Sequence, residues 1–153
     1  MATDVERMLE DYLAAWNSHD VEKIASFFTD DCVYEDVALG AVNRGKEQVK
    51  AFVSGTFTAF PDFKLERTSS FVAGDWRGAE WIMSGTHTGY IPGLPVTGKS
   101  FSTRGASITE LHEGKIRRNS DYWNLASFLQ QLGLLPEAPS EQNAPAIEEG
   151  NQG

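Results

Sequence analysis

The sequence predicts an α+β domain in which helices come first and long antiparallel strands follow. Two patterns predict this order. Apolar residues recur at helical spacing before Pro61, whereas after it side chains alternate in long runs that turn signals separate. Segregation of helices and strands along the chain is typical of the α+β class. The length of 153 residues and the hydrophobic content of 41% suit one domain with a single core.

The first part of the chain predicts three helices and one strand. The first helix covers residues 3–18, where apolar side chains recur every three or four positions. These side chains are Val5, Met8, Leu9, Tyr12 and Trp16. Asp20 is placed to cap a second, short helix. Residues 32–38 follow as a strand, and a turn over Gly40–Gly45 leads to a third helix that Pro61 ends.

The second part predicts four long strands and a last helix. The strands cover residues 62–73, 77–91, 99–112 and 115–124. Glycine-containing turns or a Pro/Gly-rich loop separate them. The last helix covers Leu125 to Leu132 and stops at Gly133. These elements predict one domain over residues 1–135, followed by an acidic, Pro-containing tail over residues 136–153 whose composition is typical of disorder.

Charge and hydropathy argue against several classes of partner. With 22 acidic against 13 basic residues, the net charge is −9. Nucleic acid and anionic membrane surfaces are disfavoured as partners, because binding them requires basic side chains. No apolar run approaches the roughly 20 residues that span a bilayer, and the charged N-terminus lacks the apolar region of a signal peptide. The single cysteine, Cys32, excludes an intrachain disulfide, which favours a cytoplasmic location.

Seven segments, taken in order, resemble the SnoaL-like polyketide cyclases, also called ester cyclases, of the nuclear transport factor 2-like superfamily. The segments are AAWNSHD, FFTDDCVYED, RGKEQVKAF, FPDFKLE, SGTHTGYIPGLPVTGK, RGASITELHEGKI and SDYWNLASFLQQLG. Their order and spacing over residues 5–135 are what make the resemblance specific. The resemblance implies a nuclear transport factor 2-like cone, a curved antiparallel sheet with N-terminal helices packed on it and a central apolar pocket.

The resemblance also implies an activity. The better-understood members close a ring of an aromatic polyketide methyl ester by an intramolecular aldol step, without a metal or an organic cofactor. They are similar to one another around an acid/base Asp on the final strand, and the Asp of SDYWN, Asp121, occupies that place here. A small hydrophobic carbonyl substrate and a homodimer are expected on the same grounds.

Asp121 also stands out from the residues themselves. In a strand over residues 115–124, Asp121 shares one face with Arg117, Asn119 and Trp123. If this face lines a pocket, poor solvation raises the pKa of the carboxyl and makes it a usable proton shuttle near neutral pH. The alternative is a surface Asp paired with a neighbouring Arg.

Asp36 is a second candidate acid. It shares a strand face with Cys32 and Tyr34. This region resembles ketosteroid isomerase, in which the matching Asp is the base and Tyr12 matches the tyrosine of the oxyanion hole. The second oxyanion donor of that enzyme, a protonated Asp, is replaced here by Ala106-Ser107. The alternative role for Asp36 is a strand-end carboxylate that accepts bonds from turn amides.

Two further polar residues have two interpretations each. His87 either polarises a substrate carbonyl or orients Asp121, or else it bonds to neighbouring Thr hydroxyls. Arg104 either binds a substrate carboxylate or forms a solvated ion pair across the sheet.

A group of aromatic side chains either lines a site for a flat ligand or forms part of the ordinary core. They are Tyr12, Trp16, Tyr34, Trp81, Phe101 and Trp123. The loop from Tyr90 to Gly98 is either a lid over the pocket or a plain hairpin connection. The three histidines show no metal-binding spacing, so no metal site is predicted.

The favoured interpretation is a cofactor-independent cyclase in which Asp121 moves a proton at a carbon flanked by carbonyls. His87, Asn119 or Tyr34 would donate to the enolate oxygen. One alternative is a non-catalytic module for ligand binding or dimerisation, since fold does not fix function. A further alternative is an isomerase similar to ketosteroid isomerase that uses Asp36.

Overall fold

The computed structural model describes residues 2–136, which form four helices and six strands. The helices are α1 (Asp4–Asn17), α2 (Val21–Ser26), α3 (Gly45–Ala59) and α4 (Leu125–Gln131). The strands are β1 (Phe28–Asp36), β2 (Ala41–Arg44), β3 (Lys64–Ala73), β4 (Trp76–Thr86), β5 (Ser100–His112) and β6 (Lys115–Trp123). The α+β class is therefore confirmed. The tail predicted over residues 136–153 lies, apart from Pro136, outside the described residues.

The six strands form one curved, unclosed sheet in the order β2-β1-β6-β5-β4-β3. Neighbouring strands are antiparallel except for β1 and β6, which pair in parallel. In that pair Asp36 lies opposite Asp121, and Tyr34 lies opposite Asn119. The parallel pairing thus brings the two candidate acids, 85 positions apart in the chain, onto adjacent strands.

The helices begin where their capping residues lie. The side chain of Thr3 accepts from the backbone of Glu6 at the start of α1, in a reciprocal capping box. Asp20 caps α2 as predicted, accepting from the Lys23 amide at 3.0 Å. Asn124 caps α4 in the same way, with its Oδ1 3.0 Å from the Ser127 amide. Local polar side chains therefore set the start of these three helices.

The hydrophobic core lies between the helices and one face of the sheet, called here the inner face. Ile24, Phe28, Val49 and Val53 are fully buried there. α1 packs against β3 and α3 against β1. Two hydrogen bonds hold α4 against β5. The Gln131 side chain accepts from the Ser102 amide at 2.8 Å and donates to the Ser102 carbonyl at 3.0 Å. The helices thus cover the inner face of the sheet.

One strand was not predicted, and two predicted strand boundaries were wrong. The segment taken as a Gly40–Gly45 turn contains β2, a strand too short for its alternation to be read from sequence. β1 begins at Phe28 rather than at residue 32. β4 ends at Thr86 rather than at residue 91, because the chain leaves the sheet into the Pro- and Gly-containing loop that follows.

Among residues 2–136, no helix is both long enough and apolar enough to cross a membrane.

Candidate active site

A cavity of about 400 Å³ lies between the helices and the inner face of the sheet. Its walls are mainly apolar, with a small group of polar side chains. From the helices and the loops it is lined by Leu9, Tyr12, Leu13, Trp16, Leu39, Ala51, Phe52, Gly55, Thr56, Ala59, Phe60, Phe63, Tyr90, Ile91, Pro92, Leu94 and Phe128. From the strands it is lined by Tyr34, Asp36, Leu65, Arg67, Arg77, Trp81, Met83, Phe101, Ser107, Asn119, Asp121 and Trp123. This is the form of a small-molecule site.

The carboxyl group of Asp121 accepts hydrogen bonds from three side chains at the wall of the cavity. Its Oδ1 accepts from the Ser107 hydroxyl at 2.6 Å and from the Asn119 amide at 2.8 Å. Its Oδ2 accepts from the Tyr34 hydroxyl. The residue is only 8% exposed, and what remains accessible faces the cavity. Its donors come from three adjacent strands, β1, β6 and β5, so the sheet fixes the orientation of the carboxyl group.

Two further hydrogen bonds hold the donors themselves. The Trp81 indole N–H donates to the Ser107 hydroxyl at 2.8 Å. The Thr109 hydroxyl donates to the Asn119 carbonyl at 2.8 Å. Because the Asn119 carbonyl is occupied, its amino group is left to point at Asp121. The network therefore extends across β4, β5 and β6.

Burial raises the pKa of Asp121, and the three hydrogen bonds offset that rise only in part. The negative charge of Asp36 adds to the increase. Burial, together with the charge of Asp121, raises the pKa of Tyr34 well above its usual value, so the phenol stays a donor. A carboxyl with a raised pKa beside a fixed donor is suited to taking up and returning a proton near neutral pH.

Asp36 lies at the end of β1 and also lines the cavity. Its Oδ1 accepts from the Leu39 amide in the following turn at 3.0 Å, and the Trp123 indole N–H lies 3.0 Å from both carboxylate oxygens. Burial raises the pKa of this carboxyl as well. Asp36 thus combines the turn-capping role considered above with a position at the cavity wall.

Most of the predicted site residues meet in this cavity. Those that line it are Tyr12, Trp16, Tyr34, Asp36, Trp81, Phe101, Asn119, Asp121 and Trp123. His87 is fully buried behind Phe60 and its Nδ1 lies 3.1 Å from the Thr97 hydroxyl. Arg104 is exposed on the outer face of the sheet, 3.9 Å from Glu80 across the β4–β5 pair. Neither His87 nor Arg104 lines the cavity.

Sequence reasoning missed several polar residues of the cavity, among them Ser107 and Arg77. Ser107 was considered only as half of Ala106-Ser107, and its bond to Asp121 depends on the register of the β5–β6 pair, which contains a bulge. Arg77 lies four positions before Trp81 in β4, so strand alternation puts the two side chains on the same face. The inner-face position of Arg77 could therefore have been predicted from the sequence. Within residues 2–136, no group of three His, Cys, Asp or Glu side chains is placed to hold a metal ion.

Comparison with known sequences identifies relatives over most of the chain. The family model of the SnoaL-like polyketide cyclases matches residues 6–132. An aklanonic acid methyl ester cyclase, DauD from Streptomyces sp. (strain C5), is 30% identical over 135 residues, 84% of this chain and 79% of the relative. The cyclase aurE from Calcarisporium arbuscula is 30% identical over 113 residues, 72% of this chain and 80% of the relative.

Comparison with solved structures gives the same fold. A protein from Catenulispora acidiphila, described as having a ketosteroid isomerase-like fold and solved in complex with trimethylamine, superposes with a TM-score of 0.74. It is 26% identical, and the match covers 84% of this chain and 93% of that one. The predicted cone-shaped fold is therefore confirmed.

Proposed function

The chain belongs to the SnoaL-like polyketide cyclase family, and we propose that it closes a ring in a carbonyl-activated, polyketide-like ester by an acid/base aldol step. Asp121 is the proposed proton shuttle. The observation that supports this assignment most directly is a buried carboxyl with a raised pKa, held by three donors at the wall of an apolar cavity. Relatives that are named as methyl ester cyclases support the substrate class.

In the proposed reaction, ionised Asp121 removes a proton from a carbon that lies between two carbonyl groups. The resulting carbanion attacks a second carbonyl carbon of the same molecule, which forms the new C–C bond and an alkoxide. Asp121 then returns its proton to the alkoxide oxygen. The carboxylate is regenerated and the atoms balance, so this chemistry draws on no co-reactant.

The other cavity residues would stabilise the enolate charge and hold the substrate in a folded conformation. Tyr34 and Asn119 donate to Asp121. Because they lie beside the proposed base, they are the proposed stabilisers of the enolate charge that proton removal would create. The aromatic walls would hold the substrate folded, with its two reacting carbons in contact. His87 has no place in this mechanism, because it does not line the cavity.

A ring-closure assay tests the proposal. Methyl esters that carry a β-keto group and a second ketone within reach would be incubated with wild type, Asp121→Asn and Asp36→Asn, and the cyclic product separated by chromatography and identified by mass spectrometry. We expect wild type to cyclise at least one ester and Asp121→Asn to lose about 10²–10⁴-fold in rate. Asp36→Asn should keep most of the activity. Cyclisation by Asp121→Asn at the wild-type rate would refute the assignment.

Asp36 supports a second candidate function, an isomerisation of the ketosteroid isomerase type. It lines the same cavity, its pKa is raised by burial, and Tyr12 lies in the cavity as a potential donor. This alternative predicts that an enone is isomerised by wild type and by Asp121→Asn but not by Asp36→Asn. A protein that binds such compounds and transforms none of them would be the non-catalytic ligand-binding module.

We also propose a homodimer that forms through the outer face of the sheet. Exposed apolar side chains cluster there, on strands β3 to β6: Phe71, Trp76, Ile108 and Tyr122. Clusters of this kind often mark association surfaces. The cytoplasmic location indicated by the single cysteine stays a prediction.

A further inference from the structure

Five residues mark the mouth of the cavity, because they line it and are also exposed to solvent. They are Leu39 of the β1–β2 turn, Ala51 and Gly55 of α3, and Tyr90 and Pro92 of the connection between β4 and β5. The mouth therefore lies between a turn, a helix and this connection. Residues 90–96, called here the β4–β5 loop, form the third border.

The chain enters and leaves the β4–β5 loop at fixed points. Before the loop, the Gly89 amide donates to the Ala59 carbonyl at the end of α3 at 3.1 Å. A Cβ added at Gly89 would overlap the Thr58 carbonyl, so this end of the loop is packed closely against α3. After the loop, the Gly98 amide donates to the His87 carbonyl at 2.8 Å.

Between these points the β4–β5 loop has little hydrogen bonding of its own. Within residues 2–136, its one backbone–backbone bond runs from the Leu94 amide to the Ile91 carbonyl at 3.1 Å, inside the loop itself. Ile91 packs against the core, whereas Tyr90 and Val96 are more than half exposed. Segments with few hydrogen bonds and few buried contacts open at a low cost in free energy.

His87 supplies the polar contact between the end of this loop and the sheet. Its imidazole is fully buried, and Nδ1 accepts from the Thr97 amide at 3.4 Å and from the Thr97 hydroxyl at 3.1 Å. Since Nδ1 accepts from an amide, the ring proton lies on Nε2, which has no hydrogen-bond partner among the described residues. The polar function of this imidazole is therefore to hold Thr97, the residue that follows the loop.

We propose that the β4–β5 loop is a gate over the cavity mouth, and that His87 is the positioning residue that holds the gate closed through Thr97. Opening would break the bonds from Thr97 to Nδ1 while both fixed ends stay in place. Loops of this kind control the entry of substrate and the release of product. The inference rests on the proposed function only in taking this cavity as the substrate site, and it suits a neutral ester as the ligand.

Stopped-flow binding tests the gate with Thr97→Val, which removes the hydroxyl and keeps the shape of the side chain. Methyl anthraquinone-2-carboxylate, a neutral ester, would be mixed with the protein and quenching of tryptophan fluorescence followed, since Trp16, Trp81 and Trp123 line the cavity. We expect the association and dissociation rate constants both to rise about two- to tenfold, as for the loss of one hydrogen bond. The dissociation constant should change less than about twofold, because easier opening speeds entry and exit alike.

Further variants control for this change. Thr88→Val makes the same replacement on the exposed residue that follows His87, and it should leave both rate constants unchanged. His87→Asn, whose amide oxygen can accept in place of Nδ1, should stay closer to wild type than His87→Leu. Unchanged rate constants in Thr97→Val would overturn the inference. So would a weaker affinity that comes from dissociation alone, because the Thr97 contact would then only shape the binding wall.

Hydrogen exchange, followed by mass spectrometry, measures the gate without a ligand and without a buried substitution. In wild type, the amides of residues 90–97 should exchange faster than those of β4 and β5, and Thr97→Val should speed exchange in this segment alone. Exchange as slow in the loop as in the sheet would rule out a gate. Because neither measurement includes a reaction, failure of the ring-closure assay would leave the gate standing, and loss of the gate would leave Asp121 as the proposed proton shuttle.

Discussion

Asp121 accepts three hydrogen bonds and still has a raised pKa, because its burial outweighs them. The balance matters for catalysis. Fewer donors would raise the pKa of the carboxyl further, whereas full solvation would lower it and leave a weaker base. The donors on β1, β5 and β6 therefore tune the acid and also orient it.

The raised pKa of Asp121 makes a prediction about stability. A carboxyl whose pKa is higher in the folded than in the unfolded protein favours the folded state below its ordinary value, about 3.9, and this contribution is lost as pH rises through the folded pKa. Asp121→Asn has no such titration. The Tm of the variant minus that of wild type should therefore increase as pH rises from about 4 to neutral.

Thermal unfolding of both proteins, followed by circular dichroism at several pH values, measures this difference. Asp36 is common to both, so its titration largely cancels. A difference in Tm that stays constant with pH, or that moves in the opposite direction, would mean that the pKa of Asp121 is not raised in the folded protein.

Ser107 provides a second prediction at this scale. Its hydroxyl bond lowers the pKa of Asp121, so Ser107→Ala should raise that pKa further. The acidic limb of the pH–rate profile should move to higher pH, since the ionised base would form later. Ser120→Ala, a change beside Asp121 whose hydroxyl bonds Glu35 at 3.3 Å on the outer face, is the matched control. An unmoved acidic limb in Ser107→Ala would argue against Asp121 as the base.

The residues of the site were partly predictable from sequence. Alternation along the last strand indicated that Asn119, Asp121 and Trp123 share a face, and the structure confirms that face as part of the cavity wall. Alternation says nothing about which residue lies opposite. The bulge between Glu110 and Leu111 shifts the register of the β5–β6 pair, so the partnership of Ser107 and Asp121 could not be counted from the turn.

At the scale of elements, the pairing of β4 with β5 places the Trp81 indole where it holds Ser107, which in turn donates to Asp121. Trp81 lies across Gly105 on the inner face, and its N–H reaches Ser107. A Cβ added at Gly105 would overlap the Trp81 ring. The glycine therefore provides the space in which the indole lies flat against the sheet.

Gly105→Ala should displace Trp81 and break its bond to Ser107. We expect overpacking to destabilise the fold by about 1–3 kcal/mol and to lower the Tm. The ring-closure rate should fall as well, since the support of Asp121 is lost. Both effects are measured by thermal unfolding and by the ring-closure assay.

Gly78→Ala is the matched control for this change. Gly78 also lies opposite an aromatic residue, Phe71, whose ring an added Cβ would overlap. Phe71 is 63% exposed on the outer face and is free to swing away. If Gly78→Ala and Gly105→Ala impair activity equally, the contact between Trp81 and Gly105 has no special role.

The elements themselves were predictable to different degrees. The helices carry strong periodicity and capping residues, so the bounds of α1 were predicted to within one position and the cap of α2 was predicted correctly. β2 has four residues and packs as an edge strand beside β1, and four positions carry too little alternation to distinguish a strand from a turn. Its existence depends on the tertiary pairing.

At the scale of the whole molecule, one sheet presents a different chemistry on each face. The inner face carries the acid network and the cavity, and the outer face carries exposed apolar side chains beside charged ones. The order of helices and strands along the chain was predictable from the hydrophobic pattern of the sequence. The parallel pairing of β1 and β6 was not, because no local signal links strands so far apart.

Ile108→Glu tests whether the outer face forms a dimer. Ile108 is 41% exposed, in the row of Gly78 and Ser120 across the sheet. If two copies meet there, a carboxylate at this position would be desolvated in both subunits, and the variant should be monomeric. Sedimentation velocity of wild type and variant measures this. A wild type that is monomeric, or a variant that stays dimeric, would remove the outer face as the interface.

Deuterium uptake at carbon tests the central claim most directly, because it isolates proton transfer from ring closure. Wild type, Asp121→Asn and Asp36→Asn would be incubated in deuterium oxide with β-keto esters, and exchange at the α-carbon followed by proton NMR. The account predicts uptake above background in wild type and in Asp36→Asn, and a loss of about 10²-fold or more in Asp121→Asn. Uptake by Asp121→Asn at the wild-type rate would contradict it.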